Sequence, residues 1–304
     1  MNEISDMLNN FGGIQPNSLS QILNIDDESD DDVSHLYQDS PYYDMDSIKL
    51  FCNRNKGSFS VFSLNAQSIN AKISELKCVL EIIKDDCDFL FSAICIQETW
   101  VKENENISQL QIDNYELFNK PQTIGIKSGM IIYLRDDYLG DDKANIFKTP
   151  ESRLWEGQSI LVSGGNLCSQ IRLSHIYRPP RLNNNNVSIE TFLKEISTYL
   201  DTLSKENQTQ IISGDFNIDL KEIKRREKFQ DYFDKFVSLG FLPKITLPTR
   251  FSKKNCTIID QIYCKFKNFD TRCESGVFIT DISDHFPCVT TFEIPPKIKI
   301  MLHI

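Results

Sequence analysis

No stretch of this sequence approaches the roughly 18 consecutive apolar residues needed to cross a bilayer. Its opening, "MNEISDMLNNFGG", has neither the basic start nor the apolar run of a secretory signal. A soluble, intracellular chain with no membrane partner is therefore expected. Nine cysteines are present, yet no two form a C-x-x-C pair, and most sit inside apolar runs (Cys52, Cys78, Cys87, Cys95, Cys168, Cys256, Cys264, Cys273, Cys288). That scatter offers neither a zinc-ligand pattern nor a disulfide framework, and reads as reduced, buried thiols. There is no internal repeat and no obvious second domain. Histidine is scarce, with four in 304 residues, so the one in "SDHFP" (Ser283 to Pro287) raises the question of whether it does chemistry or merely fills a turn.

The net charge of −10 disfavours a nucleic-acid partner until its distribution is considered. Residues 1–55 hold eleven of the 43 acids and two of the 33 bases, which leaves the rest of the chain at −1. A near-neutral body with local basic surfaces can still bind a phosphate backbone. Residues 1–40 are rich in Asn, Ser and Asp, and "DDESDDD" repels itself with nothing to bury, so they are expected to form a disordered acidic leader. Residues 41–57, with adjacent tyrosines, are expected to dock as an arm or short helix. Residues 58–296 form the domain and 297–304 a tail.

From Phe59 onward, short β-rich runs recur. Strands are expected at Phe59 to Leu64, Asp88 to Gln97, Gly129 to Leu134, Ser159 to Gly164, Gln170 to Tyr177, Thr209 to Phe216, Thr257 to Cys264 and Cys288 to Ile294. Helical spacing covers Asn70 to Lys84, Ser188 to Leu203 and Lys221 to Leu239. Strands joined partly by helices and partly by hairpins imply mixed sheets covered by helices.

Polar residues that directly follow apolar strands are where such proteins place working groups. Here they are Asn65, Glu98, Tyr177, Asp215 and Asn217, with Asp260 inside "TIIDQIY" and Asp284 and His285 in "SDH". Each has a plainer reading. Asn65 and Asn217 suit turns, Glu98 a surface carboxylate, Asp215 a turn and Tyr177 packing on the prolines of "RPP". Asp260 is harder to dismiss, because a carboxylate between two Ile-rich halves of a strand is costly unless paired. Together they compose a phosphodiester-cleaving set. One carboxylate can hold a hard divalent cation, a second beside an amide can act as general base, and a carboxylate-backed histidine can donate to a phosphate.

The ordered motifs "SLNAQSI", "IQETW", "IYRPP", "SGDFNIDL", "PTR", "IIDQIY" and "SDHFP" resemble the endonuclease/exonuclease/phosphatase superfamily, which includes exonuclease III and the apurinic/apyrimidinic endonucleases. Within it, "SLNAQSINAKISELK", "IYRPPR" and "LPTRFSKKNCTIIDQIY" resemble the endonuclease domain of non-long-terminal-repeat (LINE-type) retrotransposons. The resemblance runs from about Phe59 to Ile294. It implies an α+β, four-layer αββα sandwich of two mixed β-sheets flanked by helices, the DNase I-like fold. It also implies that Glu98 is the principal Mg²⁺ ligand, with Mn²⁺ the alternative ion and Asn65 and Asp284 in support. Asp215 becomes the base that activates water, Asn217 orients it, Tyr177 contacts the phosphate or assists the leaving group, and Asp260 with His285 forms a pair on the phosphate. Thr249, Arg178, Arg250 and Ser283 become expected substrate contacts.

One departure is Gln261, where many relatives have His after the strand carboxylate. The reverse transcriptase that normally follows such a domain is also absent, which reads as a fragment, a decayed copy or a separately expressed domain. The activity expected is Mg²⁺-dependent nicking of DNA by a monomer, in the nucleus because of its substrate. A phosphatase or RNA deadenylase on the same scaffold, or a catalytically silent binding relative, stand as alternatives.

Overall fold

Phe59–Asn65 is buried at every position, as a strand covered on both faces must be. The structure, a computed structural model, describes residues 39–293 except 141–144, 148, 166, 181–188, 253–254 and 268–270. Most of the acidic leader, the loop 181–188 and the tail 297–304 lie outside the described residues.

The first sheet joins seven strands: β1 (Tyr42–Tyr43), β2 (Phe59–Asn65), β3 (Ala93–Gln97), β4 (Tyr115–Lys120), β5 (Met130–Arg135), β14 (Cys273–Phe278) and β15 (Cys288–Phe292). Their order is β1-β14-β15-β2-β3-β5-β4. The second sheet joins β6 (Asn145–Phe147), β7 (Glu156–Val162), β8 (Ile171–Tyr177), β9 (Thr209–Asp215), β10 (Leu242–Pro243) and β13 (Asp260–Lys265), in the order β10-β13-β9-β8-β7-β6. A small hairpin pairs β11 (Arg250–Ser252) with β12 (Asn255–Thr257). Both large sheets mix parallel and antiparallel neighbours.

Four layers follow from the period of two along each strand. Phe62, Leu64, Ile94 and Ile96 face α1 (Met45–Arg54) and α2 (Ile69–Cys87), which return Ile48, Phe51, Ile73 and Leu76. Their neighbours Val61, Ala93 and Cys95 point the other way and meet Leu173, Ile211 and Ile262 of the second sheet. The outer face of that sheet, with Ile176, Ile212 and Tyr263, is closed by Phe192, Ile196, Tyr232 and Phe236 from α3 (Ile189–Ser204) and α4 (Glu227–Ser238). This is the αββα sandwich. All nine cysteines are free, six of them buried.

Some expected boundaries shift for physical reasons. The run from Asp88 is a strand only from Ala93, because Phe89 and Phe91 turn into the helix-side core first. The third expected helix starts at Glu227, after a 3-10 turn at Leu220–Glu222 capped by the Asp219 side chain. Asp260 opens its strand and does not lie inside one. Ile258 and Ile259 before it give their carbonyls to Leu220 and Phe216, so the apolar run breaks there and leaves the carboxylate at the strand mouth.

Candidate active site

One rung of the second sheet carries three of the candidate residues. Tyr177 is the register partner of Asp215 across β8 and β9, and Asp215 is the partner of Asp260 across β9 and β13. Paired residues on adjacent strands project from the same face about 4.8 Å apart, so strand register alone aligns the three side chains. Gly214 makes the approach possible. Its φ is +150°, and a Cβ there would lie 1.7 Å from the Ile176 carbonyl oxygen.

The first sheet supplies the opposing half. Asn65 and Gln97 are register partners at the ends of parallel β2 and β3, and the chain then bends at Glu98 with φ +50°. Asn65 Nδ2 donates to Glu98 Oε1 at 3.0 Å and to Asp215 Oδ2 at 2.9 Å, bridging the two sheets. The Tyr177 hydroxyl donates to the same Glu98 Oε1 at 2.9 Å. Asn217, itself left-handed at φ +47°, grips Asp215 from the other side. Its backbone N–H donates to Oδ1 at 2.9 Å and its Nδ2 to Oδ2 at 3.1 Å. Non-glycine residues in this conformation carry strain that the surroundings must hold, as these hydrogen bonds do.

Twenty-five residues separate Asp260 from His285 in sequence, yet His285 Nδ1–H donates to Asp260 Oδ2 at 2.9 Å. Thr249 locks the carboxylate further, its hydroxyl donating to Asp260 Oδ2 at 2.5 Å. Phe286 N–H donates to the Thr249 carbonyl, which ties the loop carrying His285 to the same strut. With Nδ1 committed, Nε2 is the ring nitrogen that remains to face a substrate.

Burial sets the electrostatics. Asp215 is 1% exposed, and burial first, then the charge of Asp260, raises its pKa to about 7 against the pull of His285 and of the Asn217 and Asn65 hydrogen bonds. For His285, burial is the largest single influence and pushes downward. The charge and hydrogen bond of Asp260, aided by Asp215 and Asp284, outweigh it and lift the pKa to about 9. Burial and the nearby Glu98 and Asp215 charges hold the Tyr177 hydroxyl far above its ordinary pKa, so it stays a donor. Near neutral pH the site therefore holds a cationic histidine and a carboxyl poised to take a proton.

Asp215, Asp260 and His285 have potential ligand atoms all within 4.8 Å of one another. The last two are already paired to each other, and a protonated imidazole repels a cation, so this triplet is not the better seat for a metal. Glu98 is. Both of its side-chain hydrogen bonds among the described residues fall on Oε1, and Oε2 takes none from them. With the Asp215 carboxylate alongside, the ligands on offer are hard oxygens, which suits a small divalent ion, while Asn65 holds both carboxylates through its amide N–H groups.

The remaining candidates are placed differently. Asp284 turns outward to pair with Arg250 at 2.8 Å and comes no closer to His285 Nε2 than 3.9 Å. The Ser283 hydroxyl oxygen accepts the His285 backbone N–H at 3.3 Å. Arg178 is pinned, donating to the carbonyls of Phe216 and Asn217 at 3.2 Å with its guanidinium over Phe192. Gln261 donates to the Ile245 carbonyl at 2.7 Å, a bracing role. Glu156 was not among the candidates. It is 1% exposed, is the register partner of Tyr177, and accepts the backbone N–H groups of Thr123 and Gly129. An acid opening an apolar strand is its signal, the position that the structure also gives Asp260.

The endonuclease/exonuclease/phosphatase family model matches residues 62–285, a span that includes every member of this constellation. The chain belongs to the endonuclease/exonuclease/phosphatase family. Among solved structures it is similar to the AP endonuclease LMAP of Leishmania major, at 14% identity and TM-score 0.61, covering 91% of this chain and 99% of that one. It is also similar to the endonuclease domain of TRAS1, a telomere-specific non-LTR retrotransposon, at 16% identity and TM-score 0.55, covering 78% and 99%. The 3'-5' exonuclease NExo of Neisseria meningitidis aligns at 14% identity and TM-score 0.56, covering 77% and 100%. These identities establish a shared fold. No curated protein sequence matches the chain. As a member of this family, it is a phosphodiesterase or phosphatase by lineage, with all of the described constellation in place.

Proposed function

We propose that this protein is a Mg²⁺-dependent DNA endonuclease that nicks one strand by direct attack of water on a phosphodiester. The observation that carries the reading is the juxtaposition of two hydrogen-bonded groups, His285 with Asp260 and Asp215 with Asn65 and Glu98, in which ligand atoms of Asp215, Asp260 and His285 lie within 4.8 Å of one another. Asp215 accepts the proton of the attacking water, held in orientation by Asn217. His285, cationic and backed by Asp260, donates from Nε2 to a non-bridging phosphate oxygen as charge builds there. Tyr177 keeps its proton and holds Glu98 in place. The divalent ion, bound through Glu98 with Asn65 beside it, would supply neutralisation of the phosphate and of the departing oxygen. Arg250 and Ser283, at the mouth beside His285, are the groups proposed to meet the substrate first. The likeness to a retrotransposon endonuclease favours DNA.

The test is nicking of supercoiled plasmid with and without Mg²⁺, run beside release of phosphate from inositol phosphates. Wild type is expected to nick only with the ion, and Asp215→Ala and His285→Ala to lose at least about a hundredfold, the scale for removing a proton-transfer group. Phosphate release without nicking would move the protein to the phosphatase branch. Equal residual nicking in all three proteins would place the activity outside this site.

A further inference from the structure

Beside the catalytic cluster lies an open cavity of about 590 Å³ that the hydrolytic chemistry leaves unused, lined among others by Ser68, Trp100, Lys102, Glu103, Gln122 and Ile126. Its position follows from the chain. Ser68 is three residues beyond Asn65 and Trp100 two beyond Glu98, so both loops that build the metal end continue into its wall. At about 3.3–3.6 Å per residue, Trp100 can be no more than about 7 Å along the backbone from Glu98.

These loops are held in a costly shape. Gln67, Ser68, Glu98 and Trp100 all have positive φ, +46°, +88°, +50° and +59°. A bulky tryptophan in the left-handed region is a genuine outlier, and it persists only if its surroundings over-determine it. They do. Ser68 N–H donates to the Glu98 carbonyl at 2.8 Å, Ile69 N–H to Thr99 at 3.1 Å, and Trp100 N–H to Ser128 at 2.9 Å. Gly129, at φ +96°, admits the close approach of Thr99 Oγ1. The loop opposite is anchored through Thr123 and Gly129 to buried Glu156, yet it presents Ile126 82% exposed.

Trp100 is not placed as an ordinary core residue. It is half-buried, and its indole Nε1 has no hydrogen-bond partner among the described residues. A tryptophan that forgoes its polar bond in a strained backbone is kept for its ring face. Lys127 lies over that ring at 5.6 Å from the centroid, on an exposed stem that a stacking ligand can displace toward a flanking phosphate. Glu105 already accepts from Asn70 Nδ2 and the Lys102 backbone N–H, so Glu103 is the wall acid that suits an uncharged ring with exocyclic amine or ring N–H donors.

We infer that this cavity is a nucleobase subsite in which Trp100, with Ile126 at the rim, stacks an unstacked base of the nucleotide next to the scissile phosphate. This rests on the nuclease reading above and adds to it a preference for single-stranded or locally opened DNA at that nucleotide. Base–aromatic stacking of this kind tolerates any sequence, because every base has a π-face.

The protein reports on itself. Of its two tryptophans, Trp155 is 1% exposed and bonded to Glu195, so a base can stack directly only on Trp100. Full-length wild type, with a chelator to prevent cleavage, is titrated with an oligothymidylate and with a base-free deoxyribose-phosphate oligomer of the same length. Tryptophan quenching by the first and not the second is expected. Trp100→Ala should weaken binding of the oligothymidylate by about fivefold to a hundredfold, leave the base-free oligomer unchanged, and be largely rescued by Trp100→Phe. Equal quenching by both oligomers, or Trp100→Ala binding both as wild type does, overturns the subsite, and the wild-type comparison needs no variant to fold. Plasmid nicking is scored separately. A wild type that shows base-dependent quenching but never nicks retains the subsite and loses the catalytic reading. One that nicks while Trp100→Ala keeps full base-dependent affinity does the reverse.

Discussion

Asp215→Asn should cost activity and raise stability, and the stability gain should depend on pH. In the native protein the Asp215 carboxyl titrates at about 7, against an ordinary value of 3.8, chiefly because it is buried and then because Asp260 is its neighbour. Between those two values the folded state holds a proton that the unfolded state has released. Folding is therefore favoured least where the carboxylate is forced to ionise, and stability falls as pH rises from about 4 to about 7. At 1.36 kcal/mol per unit, the buried charge costs on the order of 4 kcal/mol above pH 7 and nothing below pH 4. Asparagine cannot ionise, so it escapes this cost.

The substitution has losses of its own. One carboxylate oxygen becomes an amide facing the Asn65 and Asn217 donors, which forfeits roughly 1 kcal/mol of hydrogen bonding. His285 also loses one of the charges that sustain its proton. What survives is a difference between variant and wild type that opens by on the order of 2 kcal/mol between pH 5 and pH 8. Urea unfolding of both proteins at half-unit pH steps, with a chelator present, measures it directly. A difference that stays flat or shrinks with rising pH would mean that Asp215 ionises freely and that burial does not hold its carboxyl near neutrality.

Asp260→Asn should release His285 to the influence of burial, and its pKa should drop from about 9 to near or below 6.5, read by NMR of the imidazole protons; a value still near 9 would show that Asp260 is not what charges it. The wild-type pair stabilises the fold fully below pH 6.5 and loses that contribution as pH rises through about 9, so the variant's unfolding midpoint should show a shallower decline over that window. Gly214→Ala should lose several kcal/mol or fail to fold, since its Cβ would collide with the Ile176 carbonyl at a backbone angle that L residues rarely adopt; normal thermal stability would mean that β8 and β9 can separate without cost. Tyr42→Phe removes a hydroxyl that donates to the Pro248 carbonyl at 2.9 Å, next to Thr249, and should cost about 1 kcal/mol in urea unfolding; no change would exclude the arm as a brace for that loop.

The strands and the polar residues at their ends were legible because apolar runs and turn residues are local signals. "FSVFSLN" and "TQIISGD" announce themselves in seven letters. What joins them is not local. Nothing near Asp215 in sequence says that Asn65, 150 positions away, will donate to it, or that Asp260 will stand on its own rung. The ordered motifs supplied that through family resemblance. Strands β4 and β14 went unseen because their alternation is weak, with Tyr115 the only buried residue of "YELFNK" and three polar or small residues in "CESGVF".

Roles carried by conformation were the least visible. The letters Glu98 and Trp100 do not reveal positive φ, and Thr249 looked like a phosphate contact until its hydroxyl was seen bonded to Asp260. Arg178, Thr249 and Glu156 share a lesson in how this site is kept. A carboxylate buried between sheets and proposed as the base needs its geometry fixed from several directions, because its raised proton affinity rests on burial and on its distance from Asp260, and a displacement alters both. Much of the polarity around the reacting groups is accordingly spent holding them still: Arg178 on the Asn217 loop, Thr249 on Asp260, and Glu156 on the loop that faces Trp100. Conservative substitutions at these bracing positions should therefore perturb the pH dependence of the site before they unfold the protein, whereas substitutions at Asp215 or His285, the proposed base and phosphate donor, should abolish activity outright.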